Sequence, residues 1–115
     1  MKLYFNYDFI NWNEYIDIER SNKFKANKVK QKEKEYIRLA TIGKHYIGTY
    51  PIELIIKPHF KDHRKDLDNT RIKGLIDGLV TAGVLKNDNL NCIQKIVYEP
   101  IFDNKDGIEV EINEL

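Results

Sequence analysis

The chain has 115 residues, of which 42% are hydrophobic and 32% charged, and its formal net charge is +1. That length supports one domain with one core, over residues 1–115, and leaves no room for a second. No apolar run approaches the ~20 residues of a membrane span; the N-terminal MKLYFNYDF lacks the apolar stretch and cleavage site of a secretory signal; and a single cysteine, Cys92, excludes an internal disulfide and a Cys-rich zinc site, so a cytoplasmic protein is expected.

In chain order, Leu3, Phe5 and Tyr7 alternate with Lys2, Tyr4 and Asn6, which predicts a first strand. INWNEYIDIERSNKF follows without a clean period and fits either a short helix or an ordered loop. Residues 27–42 predict a helix, with Val29, Glu33, Tyr36, Ile37 and Ala40 at helical spacing and Gly43 as its stop. Tyr50–Lys57 predicts a strand with Ile52, Leu54 and Ile56 on one face, ended or placed at a sheet edge by Pro58.

The most regular helix is expected over residues 70–82, where Ile72, Leu75, Ile76, Leu79 and Val80 form one apolar stripe. Asp68 or Asn69 is placed to cap it, and Gly83 to close it in a left-handed conformation. Residues 92–99 and 107–113 predict two further strands around a turn at Asp103–Gly107, with Cys92 a small buried hydrophobe. The fold class is therefore α+β, with helices packed on a small mixed sheet in the order β-α-β-α-β-β.

Charge is unevenly distributed. Nine Lys or Arg lie between Arg20 and Lys44, where the acids are Glu33 and Glu35; six acids and one lysine lie between Glu99 and Leu115. Such asymmetry suits a polyanion-binding face, although a lysine-rich solvated helix has the same composition.

The stretch HRKDLDNT, residues 63–70, sets Asp66 and Asp68 beside Arg64 and Lys65. In an extended chain the two aspartates point to one side, and paired carboxylates suit a hard cation such as Mg²⁺. Asp88, in KNDNL, joins them only if residues 84–87 double back along the helix. A cation there would turn a repulsive surface into a phosphate-binding one, with Arg64 and Lys65 on neighbouring phosphates and Lys73 neutralising charge in the transition state. The same letters also read as helix capping, an Asn-rich turn and a Lys73–Asp77 surface pair.

His59 and His63 are four apart, but Pro58 argues against a shared helix, so they are expected in a loop. Trp12, Tyr15, Phe24, Tyr36 and Tyr46 could stack on bases, with core packing the default for most.

The run RKDLDNTRIKGLIDGLVTAGVLKND resembles the RusA family of Holliday-junction resolvases. A basic pair precedes Asp66-Leu67-Asp68-Asn69, a helix carries Lys73 and Asp77-Gly78-Leu79, and Ala82-Gly83 and Asp88 follow in the family's order. NEYI and ERSN look like the phage-encoded branch. The resemblance implies a homodimeric endodeoxyribonuclease that cuts four-way junctions in recombination or repair, with Mg²⁺ (or Mn²⁺) as cofactor. It carries the metal-binding and catalytic acids over to Asp66, Asp68 and Asp88, and the catalytic lysine to Lys73. Arg64, Lys65, Lys23, Lys25, Lys28 and Lys30 are then expected on DNA.

Two departures stand out: Lys73 follows Asp68 by five residues where many members have four, and Asn87 replaces the first of the usual paired acids. A DNA-binding protein that keeps the fold without catalysis, and a small interaction module in which DLDN only caps a helix, are the competing readings.

Overall fold

A computed structural model describes residues 1–7, 9–44, 46–65 and 70–115. The elements are β1 (Lys2–Phe5), α1 (Trp12–Ser21), α2 (Lys23–Ala40), β2 (Ile52–Phe60), α3 (Ile72–Thr81), β3 (Ile93–Tyr98), β4 (Ile101–Phe102) and β5 (Ile108–Glu114). This is the expected α+β class with a mixed sheet. The sheet order is β1-β5-β2-β3, with β4 on the far end of β2. β5 runs antiparallel to both β1 and β2, whereas β3 and β4 run parallel to β2.

Alternation decides which sheet face is covered. Leu3 and Phe5, Ile52, Leu54 and Ile56, and Ile108, Val110 and Ile112 are all buried against Ile37 of α2 and Leu75, Ile76 and Leu79 of α3. The opposite face carries ion pairs, Lys57 with Glu111 at 3.0 Å and Lys95 with Glu53 at 3.2 Å. Gly78 lets the two helices close up, because a Cβ there would run into the Ile37 side chain.

The segment without a period is helical. Asn11 caps α1 by accepting from the Glu14 N–H, and Asn22 separates α1 from α2 while capping α2 through the Lys25 N–H. α2 thus begins four residues before the periodic stretch that starts at residue 27. α1 shows no clean period because it lies at the surface and buries only Tyr15.

Pro58 neither ends β2 nor lies on an edge strand. Ile56 accepts from Glu99 and Phe60 accepts from Asp103, so the Pro58 nitrogen faces that same side. It falls at the break between β3 and β4, where no ladder bond is lost. His59 is consequently a strand residue rather than a loop residue. It is buried, with Nδ1 2.9 Å from Asp103 and Nε2 3.1 Å from Glu109. His63 stacks on Phe102 with centroids 3.7 Å apart. Tyr15 is buried as expected of core aromatics, whereas Phe24 and Tyr46 are exposed. Cys92 is buried in the turn just before β3.

Candidate active site

α3 lies in the crossover between the parallel strands β2 and β3. Its start is Arg71, which occupies the N-cap position without a side-chain capping bond. The capping expected of Asp68 or Asn69 falls outside the described residues. So do Asp66 and Asp68, the first two expected metal ligands.

The helix ends in a Schellman motif. Gly83, with φ +82°, donates to the Val80 carbonyl at 3.0 Å, and Val84 donates to the Leu79 carbonyl at 3.0 Å. The chain then turns back. Val84 and Leu85 are buried. Ile47 N–H donates to the Val84 carbonyl at 2.9 Å, and Lys86 N–H donates to the Tyr50 hydroxyl at 2.7 Å. These contacts direct the next residues along α3 rather than away from it. From Gly83 back to the level of Lys73 is roughly 15 Å of helix, and a five-residue extended segment reaches roughly 17 Å.

The result is a three-residue cluster. The Lys73 ammonium bonds the Asp88 carboxylate and lies 2.9 Å from Asp77, one turn along the helix. The hydrogen bond from Lys73 holds the Asp88 carboxyl below its usual range. Asp88 first, and Asp77 second, raise the Lys73 pKa. The lysine therefore remains an ammonium at neutral pH. It can stabilise a phosphoryl oxygen or give a proton to a leaving oxygen, but it is not poised to accept one.

Arg71 and Glu33 form a second, buried pair, with Arg71 8% and Glu33 3% exposed. Arg71 Nη2 donates to Glu33, whose second oxygen accepts from the Ile10 N–H at 3.1 Å. Burial pushes the Glu33 carboxyl up, while Arg71 and that N–H pull it back. The guanidinium also lies 4.4 Å from the centre of the Tyr15 ring. Gly74 leaves the space: a Cβ there would sit 2.5 Å from Arg71 Nη2. The start of α3 is thus locked to α1 and α2, a few positions after Asp66 and Asp68 in the sequence. Neither Glu33 nor Arg71 was singled out as a site residue, though Glu33 stands on the apolar stripe of a helix, where a carboxylate needs a buried cation.

Next to this lock is a cleft of about 600 Å³, lined by Lys61, Asp62, Lys65, Thr70 and Arg71 among others. Lys65 faces it, whereas Arg64 is spent on Asp62 at 3.1 Å. The Thr70 hydroxyl is 3.2 Å from that of Tyr98, tying the residue before Arg71 to β3. Lys23, Lys25, Lys28 and Lys30 are exposed along α2.

Carboxylate oxygens are the donors that suit Mg²⁺. Asp88 supplies one, and an ammonium already sits between it and Asp77, so the position attracts cations. Among the described residues no group of three or more His, Cys, Asp or Glu gathers that could hold a metal. The remaining expected donors are in residues 66–69.

Comparison with known proteins gives one family, described as endodeoxyribonuclease RusA, matched over residues 15–113. No curated protein matches the chain. Among the described residues no helix is long and apolar enough to cross a membrane.

Proposed function

The chain belongs to the RusA family of endodeoxyribonucleases, and from that premise we propose that it cuts four-way DNA junctions at the Lys73–Asp88 centre. The observation that carries the reading is the return of Asp88 onto Lys73 in the first turn of α3. It brings the third acid of the family pattern beside the lysine of that pattern.

In this reading Asp66, Asp68 and Asp88 hold a divalent cation, Mg²⁺ or Mn²⁺. When bound, the ion supplies an activated water and neutralises charge on the phosphate. The chain's own residues do the rest. Lys65 and Lys61, on the cleft they share with Arg71, bind phosphates flanking the scissile bond. The Lys73 ammonium stabilises negative charge on the phosphoryl oxygens as the bond breaks. Asp77 holds that ammonium from the opposite side and keeps it aimed. Lys23, Lys25, Lys28 and Lys30 attract the DNA arms, so binding weakens steeply with salt. A homodimer suits a two-fold junction, since two symmetric centres can nick opposed strands. Recombination or repair, in a phage setting, is the corresponding role.

The test is cleavage of a synthetic four-way junction with and without Mg²⁺, beside Asp68→Asn, Asp88→Asn and Lys73→Ala. The expected result is metal-dependent cleavage that falls at least about 100-fold in each variant. Cleavage by the variants at the wild-type rate would defeat the assignment. Salt-sensitive junction binding with no turnover under any metal would identify a DNA-binding protein that keeps the fold instead.

A further inference from the structure

We propose that the cleft between α1, α2 and the start of α3 is a nucleobase pocket, which takes one base unstacked from the DNA beside the phosphate that Lys73 attends. The inference rests on the nuclease reading and adds a binding site to it. The cavity is about 250 Å³, and its walls include Trp12, Tyr15, Lys30, Lys34, Arg71 and Lys73. Clefts for drug-sized ligands run roughly 300–1,000 Å³, so this one suits a single planar heterocycle rather than a base pair.

Three features point to a base. The first is an aromatic platform. Trp12 stacks against Tyr15 with centroids 6.2 Å apart and planes 25° from parallel, yet the indole remains 39% exposed. An indole held flat at a cavity mouth is a stacking surface for a base.

The second feature is unmet polar capacity. Tyr15 is 5% and Arg71 8% exposed, and among the described residues the Tyr15 hydroxyl and Arg71 Nη1 have no hydrogen-bond partner. Lys30 lies 5.4 Å from the Tyr15 ring centre, and the approach of its ammonium to the Tyr15 hydroxyl raises its pKa, a contact that leaves the phenol's own proton undonated. Buried polar groups are normally satisfied. Both atoms lie just behind the cavity wall, and once the Arg71 and Tyr15 side chains turn toward the cavity the edge of a base offers them carbonyl and ring-nitrogen acceptors, as guanine does for arginine in a DNA groove.

The third feature is position. Lys73 belongs both to this cavity and to the Asp88 cluster. A nucleotide with its base in the cavity has its phosphate within reach of Lys73, Lys30 and Lys34. Glu19 and Asp77 complete the wall and can accept from exocyclic amino groups. At a branch point pairing is already interrupted, so unstacking one base there costs less than in a continuous duplex.

Trp12 is the only tryptophan in the chain, so emission excited at the red edge, where the seven tyrosines do not absorb, reports on this pocket. The experiment titrates the protein with a labelled four-way junction in EDTA. It follows junction anisotropy and tryptophan emission together, then repeats the titration with abasic nucleotides around the branch point. The pocket predicts saturable quenching that tracks binding for the intact junction and is lost for the abasic one. Trp12→Ala should weaken junction binding at least about fivefold, and Trp12→Phe should retain most of the affinity.

Binding without a change in emission, or equal quenching by the abasic junction, would overturn the pocket and leave the nuclease reading standing. No anisotropy change at any protein concentration would overturn both.

Discussion

Replacing Glu33 by alanine removes the only carboxylate bonded to Arg71 among the described residues, and leaves a guanidinium that is 8% exposed. Breaking a buried pair from one side costs about 3–5 kcal/mol, because the remaining charge is uncompensated. The Ile10 N–H loses its acceptor in the same step, so the upper half of that range is expected. For a domain with about 5–15 kcal/mol of total stability this is a large fraction. At about 4 °C per kcal/mol it lowers Tm by roughly 16–20 °C. Urea denaturation followed by circular dichroism measures it directly. The double variant Glu33→Met/Arg71→Met should recover most of the loss, since a buried pair exchanged for apolar side chains of similar size is often neutral. Its junction binding should nevertheless be weaker than that of the unaltered protein, because Arg71 lines both cavities at the start of α3. A loss below about 1 kcal/mol for Glu33→Ala would refute the view that this pair locks α3 to α2.

Gly78→Ala should cost about 1–3 kcal/mol in the same assay, because the added methyl meets Ile37, whose side chain has no room to retreat in the core; an unchanged midpoint would mean that the two helices separate freely. Acid should also unfold the protein through specific carboxylates. The hydrogen bond from His59 holds Asp103 below its ordinary range, and that from Lys57 does the same for Glu111. A depressed folded pKa gives stability that is complete above the unfolded value near ~4 and is lost as pH falls through the folded one. The urea midpoint should therefore decline below about pH 4, and less steeply in Asp103→Asn; parallel declines would show that the His59–Asp103 contact adds nothing.

What could be read from the letters depended on whether a segment is governed by its own pattern. The stripe Ile72, Leu75, Ile76, Leu79, Val80 and the alternation of Ile108, Val110 and Ile112 each face one core, so their periods are clean and the elements were legible. α1 contributes only Tyr15 to the interior, and a helix with one buried residue leaves no period to find. Pro58 misled because its missing donor matters only where a neighbour needs it, and that neighbour's break, at Glu99–Pro100, is set by tertiary structure. The two-residue β4 is too short to carry a signal.

At the site the same division holds. Asp88 and Lys73 were named from the sequence, but their meeting is decided by the Gly83 reversal and by the burial of Val84 and Leu85. Glu33 and Arg71 are 38 positions apart, and no local spacing reports such a pair. Trp12 and Tyr15 were named from the sequence as able to stack on bases, but the cavity they line with Lys30, Lys34 and Arg71 is assembled from three helices and no local spacing reports it.

Every residue proposed for the cutting chemistry, from Lys61 to Asp88, comes from the one crossover that leaves β2 and enters β3. In that proposal the cutting residues of each centre come from a single polypeptide. If two copies act together on one branched substrate, a mixed pair of an intact chain and an Asp88→Asn chain keeps one working blade. Such a hybrid should leave a single nick and an unresolved, relaxed molecule, which turns a resolving enzyme into a programmable strand marker.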